Sequence, residues 1–269
     1  MSSPAVLYEQ FDNVVVLTMN RPENRNANST PEMIDAFCDA IDRINLDYDI
    51  GAVIITGKGT TYSSGGETTL MQRFATMNPL DVRNYYVHHG IQKLTRAMYS
   101  LEVPAIAAVN GPAYGSGCGS AAMCDIRYAS ETAVFAVNFS HLGMLAGDGG
   151  SYFLNQIVGP EKAAEMIYTG DPIDAAEALR CGLVSRVLPP DRLMEEAMKM
   201  ARRIAANPPK GLRMAKRLLR EARQAARFDA FLDLTAARQG LGHGTPEYRE
   251  RLDIFLTKLH KKESLERNA

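Results

Sequence analysis

The sequence has no surplus charge of either sign: 30 Lys and Arg stand against 31 Asp and Glu, a formal net charge of −1. A chain this close to neutral has no global field for nucleic acid or an anionic membrane surface, and neither partner is expected. No apolar run approaches membrane-spanning length. The opening MSSPAVLYEQ lacks the basic-then-apolar pattern of a signal peptide. Four cysteines occur, Cys38, Cys118, Cys124 and Cys181, and none belongs to the C-x-x-C pair of a zinc site or redox motif. They read as small buried hydrophobes, no metal site is expected, and a reducing, cytoplasmic compartment is the default. No stretch rich in Pro, Gly or Ser is long enough to separate independent domains.

What is present is the balance of an ordinary globular protein: 269 residues, 46% hydrophobic and 23% charged. That length fits one large domain, or one domain with an appended lobe. Val14–Met19 and Ala52–Gly57 are apolar and β-branched and predict buried strands. Between them, Ser29 or Thr30 can cap a helix with Pro31 at its first position. Met33, Phe37, Ile41 and Ile44 then fall at helical spacing. Leu80–Ser100 predicts one long helix, AIAAVNG a third strand, Ile126–Ala129 a fourth and Leu183–Leu188 a last short one. Strands alternating with helices predict an α/β fold with parallel strands. The last third is almost continuously helical, so the expected division is an α/β core over 1–190 and a helical lobe over 191–269.

Two segments share one design: a buried strand, a glycine-rich turn, then a helix start. They are AVIITGKGTTYSSGGETTLM, with Gly65-Gly66 at the turn, and AIAAVNGPAYGSGCGSAAM, with Gly115, Gly117 and Gly119. Glycine lets another group approach main-chain N–H donors closely. Two such turns facing one another can make a two-donor oxyanion hole. Either turn alone reads as readily as tight packing of a helix on a sheet. Neither has the Gly-Lys-Ser/Thr of a phosphate-binding loop.

Over nearly its whole length the chain resembles the crotonase, or enoyl-CoA hydratase/isomerase, superfamily. The matching segments are NRPENRNA, AVIITGKGTTYSSGGE, VPAIAAVNGPAYGSGCG, CDIRYAS, FLNQIVGPEKAAEMIYTGD and DAAEALRCGLVSRVLP, in family order and with family-like spacing. The resemblance implies a spiral of ββα units and a C-terminal helical region that makes homotrimers or dimers of trimers. It implies an acyl-CoA substrate, with coenzyme A entering as part of the substrate and no separate cofactor. It also implies that the thioester oxygen lies between the backbone N–H groups of Gly66 and Ser116, flanked by Ser64, Gly65 and Gly115. Asn24, Arg25, Asn26 and Ala27 match the family's adenine-side loop. Phe255 and Lys258, in FLTKLHKK, match its nucleotide-side Phe-x-x-Lys, although Lys258 reads equally well as a solvated residue on a basic helix.

The sequence departs from the family pattern at the acid/base positions. The resemblance implies that hydratases carry two glutamates, at the positions held here by Gly119 and Phe139. Paired carboxylates supply the acid and base for adding water, so their absence puts the ordinary hydratase mechanism in doubt. Asp148, in LAGDGG, falls in a turn where relatives place a working Asp, among them a hydrolase of a camphor-derived diketone. That hydrolase's partner histidine would fall at Phe139 rather than His141, and the dehalogenating relatives' Asp at Gly147. Asp148 also suits a helix N-cap. Glu67 reads as loop support. His88 or His89 can face the acyl pocket but not both, because adjacent helix positions diverge by roughly 100°; His89 and Phe139 are taken as substrate contacts. Tyr62, Tyr114 and Tyr152 read first as packing aromatics.

The sequence therefore leads to an enoyl-CoA hydratase/isomerase-type enzyme working through an oxyanion-stabilised enolate, with Gly66, Ser116 and Asp148 as catalytic candidates. Two alternatives stay open. One is a hydrolase of the same fold that cleaves a C–C bond of β-diketone type or a thioester. The other is an inactive CoA-binding or structural subunit.

Overall fold

A computed structural model describes residues 3–224, 227–243 and 246–267. Strand β1 (Val6–Phe11) pairs antiparallel with β2 (Val14–Met19). Helix α1 (Pro31–Leu46) follows, capped by Thr30, whose Oγ1 accepts from Met33 N–H, with Pro31 in the first turn. Next come β3 (Ala52–Gly57), α2 (Thr68–Phe74), the short turn α3 (Pro79–Asp81), a π-helix over Val82–Ile91 and α4 (Gln92–Ser100). The long helix expected over Leu80–Ser100 is thus divided. Gly90 has non-helical backbone angles, and the turns before it close with π rather than α spacing.

Strand β4 (Ala105–Val109) leads into β5 (Ala113–Tyr114) and α5 (Ser116–Ala122). Then follow β6 (Ile126–Ser130), β7 (Val134–Ala136), a 3₁₀ turn (Asn138–Leu142) and α6 (Gly150–Thr169), which is interrupted at Gly159. Strand β8 (Ile173–Asp174), α7 (Ala175–Arg180), β9 (Arg186–Leu188) and α8 (Leu193–Ala205) complete this part. The last strand is shorter than the expected Leu183–Leu188. The six-stranded sheet runs β1-β2-β3-β4-β6-β9, parallel except for β1, and β5-β7-β8 form a second, smaller sheet.

The central strands alternate as their burial on both faces requires. Val15, Leu17, Val53, Ile55, Ala107 and Val109 face α1 and α4 through Met33, Phe37, Ile41, Leu94 and Met98. Val14, Val16, Ala52, Ile54, Ile106 and Ala108 face Leu193, Ala197, Ala201 and Ala205 of α8. Ile54 and Ile55 are both essentially unexposed on opposite faces, and each stabilises the fold by about 1.5–3 kcal/mol through its burial.

The chain divides into two compact units, residues 1–209 and 210–269. Helix α8, which lies beyond residue 190, belongs to the first. The second takes in α9 (Pro209–Ala222) from Lys210 onward, α10 (Phe228–His243) and α11 (Pro246–Arg267), with ion pairs Arg238–Glu221 and Lys210–Glu247. Among the described residues no helix is long and apolar enough to cross a membrane.

Candidate active site

The two glycine-rich turns stand side by side because the loops that carry them pair like short parallel strands. Ser63 bridges Ala113. The Ser63 N–H donates to Pro112 O (3.2 Å), and the Tyr114 N–H donates to Ser63 O (2.9 Å). Gly65 and Gly115 have φ of +77° and +52°, a region that costs a residue with a Cβ about 1–2 kcal/mol or more. Space imposes the same demand at Gly65. A Cβ there would run into Tyr114 O and lie 2.9 Å from the Ser116 nitrogen. The Gly65-Gly66 peptide therefore abuts the first turn of α5. Among the described residues, neither the Gly66 nor the Ser116 N–H donates to a protein acceptor. Two unspent N–H groups on adjoining turns can polarise one carbonyl oxygen.

Against Gly119 of α5 lies a buried carboxylate. Asp148 is 3% exposed and shares a cavity of about 10 Å³ with Gly115, Cys118, Gly119, Ala122, Val137 and Leu154. That is room for about one water-sized group. Its Oδ1 accepts from Gly150 N–H (3.1 Å), whereas Oδ2 has no protein partner. Burial pushes its pKa above the ordinary carboxylate value, against the Gly150 and Asp148 N–H groups, which pull it down. Desolvation wins because only one oxygen is satisfied. The turn around it is pinned by α4: Thr95 Oγ1 donates to Asp148 O (2.6 Å) and Gln92 Nε2 to Gly147 O (2.9 Å). Cys118, beside it, is buried, and burial with the Asp148 charge pushes its thiol up to about 12. It is a neutral wall, not a nucleophile.

Gly119 explains how the carboxylate fits. A Cβ built on Gly119 points straight at Asp148 Oδ2, closer than real Cβ contacts come, and lies 3.3 Å from its Cγ. The Asp148 carboxylate occupies the space that any side chain at 119 would take. Asp148 also precedes the first turn of α6, whose N-cap is Gly149. The expected N-cap is thus corrected: Gly149 holds that position with no side-chain cap, and Asp148 instead accepts from the Gly150 N–H through Oδ1 while Oδ2 stays unpartnered.

The remaining expected residues fall in several places. Phe139 is half-buried, and its ring lies against Gly115. The 24–27 loop is fastened to the 58–65 loop. The Ser64 N–H donates to Arg25 O (2.9 Å), and Asn24 Oδ1 accepts from Ala27 N–H. Asn26 is fully buried, with its amide spent on Lys58 O, Thr61 O and Arg21 N–H. Arg25 is exposed and Ala27 buried. Glu67 caps α2 through Thr69 and Leu70 N–H, and hydrogen bonds from the Thr69 hydroxyl and the Leu70 N–H hold its pKa down. That is the loop support expected of it.

His88 and His89 are both exposed and meet edge to face (ring centroids 4.9 Å apart). The residue of this segment facing the Asp148 turn is Val87, whose Cγ1 lies 3.6 Å from where a Cβ on Gly147 would be. His89 borders a groove of about 560 Å³ that Ser29, Ile34, Leu70, Phe74 and Tyr86 also line. His141 is exposed, with Nε2 2.7 Å from Thr169 O at the far end of α6. Tyr62 is buried at 0% exposure, Tyr114 is half-buried and Tyr152 is 45% exposed. Phe255 is exposed on α11, and the Lys258 side chain lies outside the described residues.

Four neighbours of the site carried no signal in the motif. Asn28 and Ser29 are buried; Asn28 ties the two turns together, Ser29 braces the first through Gly65 O and the Glu67 N–H, and Thr95 and Gln92 hold the Asp148 turn. A fifth, Tyr86, stacks on Phe74 (centroids 4.0 Å apart). Burial raises its phenol pKa, the Ser29 hydroxyl opposes the rise, and the Asp148 and Glu67 charges add to it.

The comparisons with known proteins agree with this architecture. The sequence model of the enoyl-CoA hydratase/isomerase family matches residues 9–260. A crotonyl-CoA hydratase of Syntrophomonas wolfei is 34% identical over 259 residues, covering 96% of this chain and 97% of that protein. A short-chain-enoyl-CoA hydratase of Clostridium acetobutylicum is 34% identical over 254 residues, covering 94% and 95%. Among solved structures, an enoyl-CoA hydratase of Mycobacterium smegmatis superposes with a TM-score of 0.88 at 28% identity, covering 95% of this chain and 97% of that one. A monofunctional enoyl-CoA isomerase of the same organism gives 0.72 at 31%, covering 86% and 99%. The chain belongs to the enoyl-CoA hydratase/isomerase family.

Proposed function

We propose that this enzyme moves a proton on an acyl-CoA thioester through an enolate, with the Gly66 and Ser116 N–H groups holding the thioester oxygen and Asp148 as its single acid/base. The observation that carries the reading is the unpartnered, buried Oδ2 of Asp148 in the space in front of Gly119. The two N–H donors stabilise negative charge as it develops on oxygen, a contribution of about 3–4 kcal/mol per donor in comparable sites. Asp148 takes a proton from one carbon of the acyl group and returns it to another, so that a double bond shifts with no change in mass or oxidation state.

A lone carboxylate suits this shift better than hydration, which uses two carboxylates to hold and activate one water. The raised pKa of Asp148 supports the role, since a group that must both accept and release a proton works best near the operating pH. The hydrolase alternative would need a second group to activate water. His141, turned to Thr169 O, is not placed to supply it.

The test is an assay panel on the wild type and Asp148→Asn. A β,γ-unsaturated acyl-CoA should be converted to the conjugated enoyl-CoA, read as a gain in enoyl absorbance. Asp148→Asn should lower that rate by about 10²-fold or more. Unchanged turnover in the variant removes Asp148 from the mechanism. Thiol release or β-diketone cleavage without isomerisation establishes the hydrolase. Acyl-CoA binding with no turnover on any substrate establishes a non-catalytic subunit.

A further inference from the structure

An oxyanion contact requires its two N–H groups to be held at a fixed spacing, and one residue touches the supports of both. The Gly66 N–H belongs to the peptide whose carbonyl is Gly65 O. That oxygen accepts two backbone N–H groups, from Asn28 (3.0 Å) and Ser29 (3.3 Å). Hydrogen bonds at the carbonyl end fix the peptide plane and polarise its N–H. On the other turn the Asn28 side chain reaches Ser116. Its Nδ2 donates to Ser116 O (3.0 Å) and Ser120 Oγ (3.3 Å), and its Oδ1 accepts from the Ser116 hydroxyl (2.6 Å). Asn28, Ser116 and Ser120 are 1%, 5% and 6% exposed. A carbonyl can only accept, so Ser116 O fixes the nitrogen end of the amide and excludes the flipped orientation.

We infer that Asn28 is a positioning residue that locks the two turns into one unit and sets the spacing of the Gly66 and Ser116 N–H groups. The inference rests on the oxyanion reading proposed above. Asn28 has a second effect through Oδ1, which turns the Ser116 hydroxyl back into the protein. Ser116 then offers the substrate only its backbone N–H. Without the amide, Ser120 Oγ still donates to Gly117 O (2.9 Å), but the Ser116 hydroxyl loses the one acceptor it has among the described residues. It is then free to rotate toward the place reserved for the thioester oxygen.

The experiment reads carbonyl polarisation directly. Butyryl-CoA, labelled with ¹³C at the thioester carbonyl, is bound to the wild type, Asn28→Ala and Asn28→Asp, and the carbonyl stretch is followed by infrared difference spectroscopy. In the wild type the stretch moves to lower frequency on binding. In Asn28→Ala the shift falls by about half or more, and turnover of the β,γ-unsaturated substrate loses about tenfold in kcat with KM within about twofold. Asn28→Asp keeps the shape and Oδ1 but sets an acceptor against Ser116 O, so it loses at least as much. Thermal melts establish that each variant is folded. Should Asn28→Ala not fold, Asn28→Ser, too short to reach Ser116 O, carries the test. An unchanged stretch and kcat in folded variants overturns the positioning role. A wild type with no shift on binding overturns the oxyanion reading itself, and with it the basis of this inference.

Discussion

Adding one methyl group at Gly119 tests whether the Asp148 carboxylate occupies the space of the side chain that 119 lacks. On helix grounds alone Gly119→Ala should stabilise α5, since Gly in a helix interior costs about 0.8–1 kcal/mol relative to Ala. The packing opposes this. The new Cβ would fall inside contact distance of Asp148 Oδ2, 3.3 Å from Asp148 Cγ and 3.4 Å from Gly150 Cα. The carboxylate cannot simply retreat, because Oδ1 is bound to Gly150 N–H and the Asp148 carbonyl to Thr95 Oγ1. Overpacking of this kind costs about 1–3 kcal/mol, and losing the Gly150 bond adds about 1 kcal/mol. Against the helix gain, the net expectation is a destabilisation of about 1–3 kcal/mol.

In an Asp148→Ala background both clashing atoms are gone and only an ordinary 3.4 Å contact remains. There the same substitution should be neutral, or stabilising by up to about 1 kcal/mol. Urea unfolding of the four proteins, with matched m-values, gives the coupling energy as a double-mutant cycle. A value of about 2 kcal/mol or more is expected. Coupling below about 0.5 kcal/mol, the level of unrelated sites, would refute the claim that these residues share one space. The same geometry predicts that Gly119→Glu alone creates no hydratase, because the new side chain and Asp148 compete for one location.

Asp148→Asn should make the protein more stable at neutral pH while it loses activity. With a folded pKa raised above the unfolded value, the carboxyl's stabilising contribution is complete below the unfolded pKa and is lost as pH rises through the folded one. Melting temperature against pH should show that decline in the wild type and not in the variant; parallel curves would contradict a buried, partnerless Oδ2. Thr95→Val is nearly isosteric and removes the hydroxyl bound to Asp148 O. It should lower kcat severalfold with little change in KM, at a stability cost of about 1 kcal/mol, and steady-state kinetics with thermal melts check both.

The parts of the fold legible in the sequence are those in which one physical signal dominates. Val14–Met19, Ala52–Gly57 and Ala105–Val109 are apolar on both faces because helices cover both sides of a parallel sheet. Strand β1 escaped because it is an edge, with Glu9 and Gln10 exposed, and β5 and β8 are two residues each, too short to carry a period. The π-helix escaped because its hydrogen-bond spacing leaves no mark on side-chain pattern. It also undoes the choice between His88 and His89, which assumed α-helical rotation. Asn28 was invisible for another reason. A polar residue in a loop reads as surface, and only the structure shows it at 1% exposure between two turns.

The site shows why a motif search for a glutamate at 119 finds nothing where a carboxylate is nevertheless present. Helices α5 and α6 approach at a glycine–glycine contact: a Cβ on Gly150 would lie 3.1 Å from Gly119 Cα. At that distance the start of α6 can deliver an acid to the space in front of α5. The chemistry depends on where the oxygen lies, not on which segment carries it. The change of segment still alters the group's character. A side chain at 119 would enter from α5, whereas Asp148 arrives from the start of α6 with Oδ1 already bound to Gly150 N–H. One tethered oxygen and one unpartnered oxygen give the carboxylate a single fixed direction. In the proposed role, a carboxylate with one unpartnered oxygen suits passing a single proton better than sharing a water with a second acid.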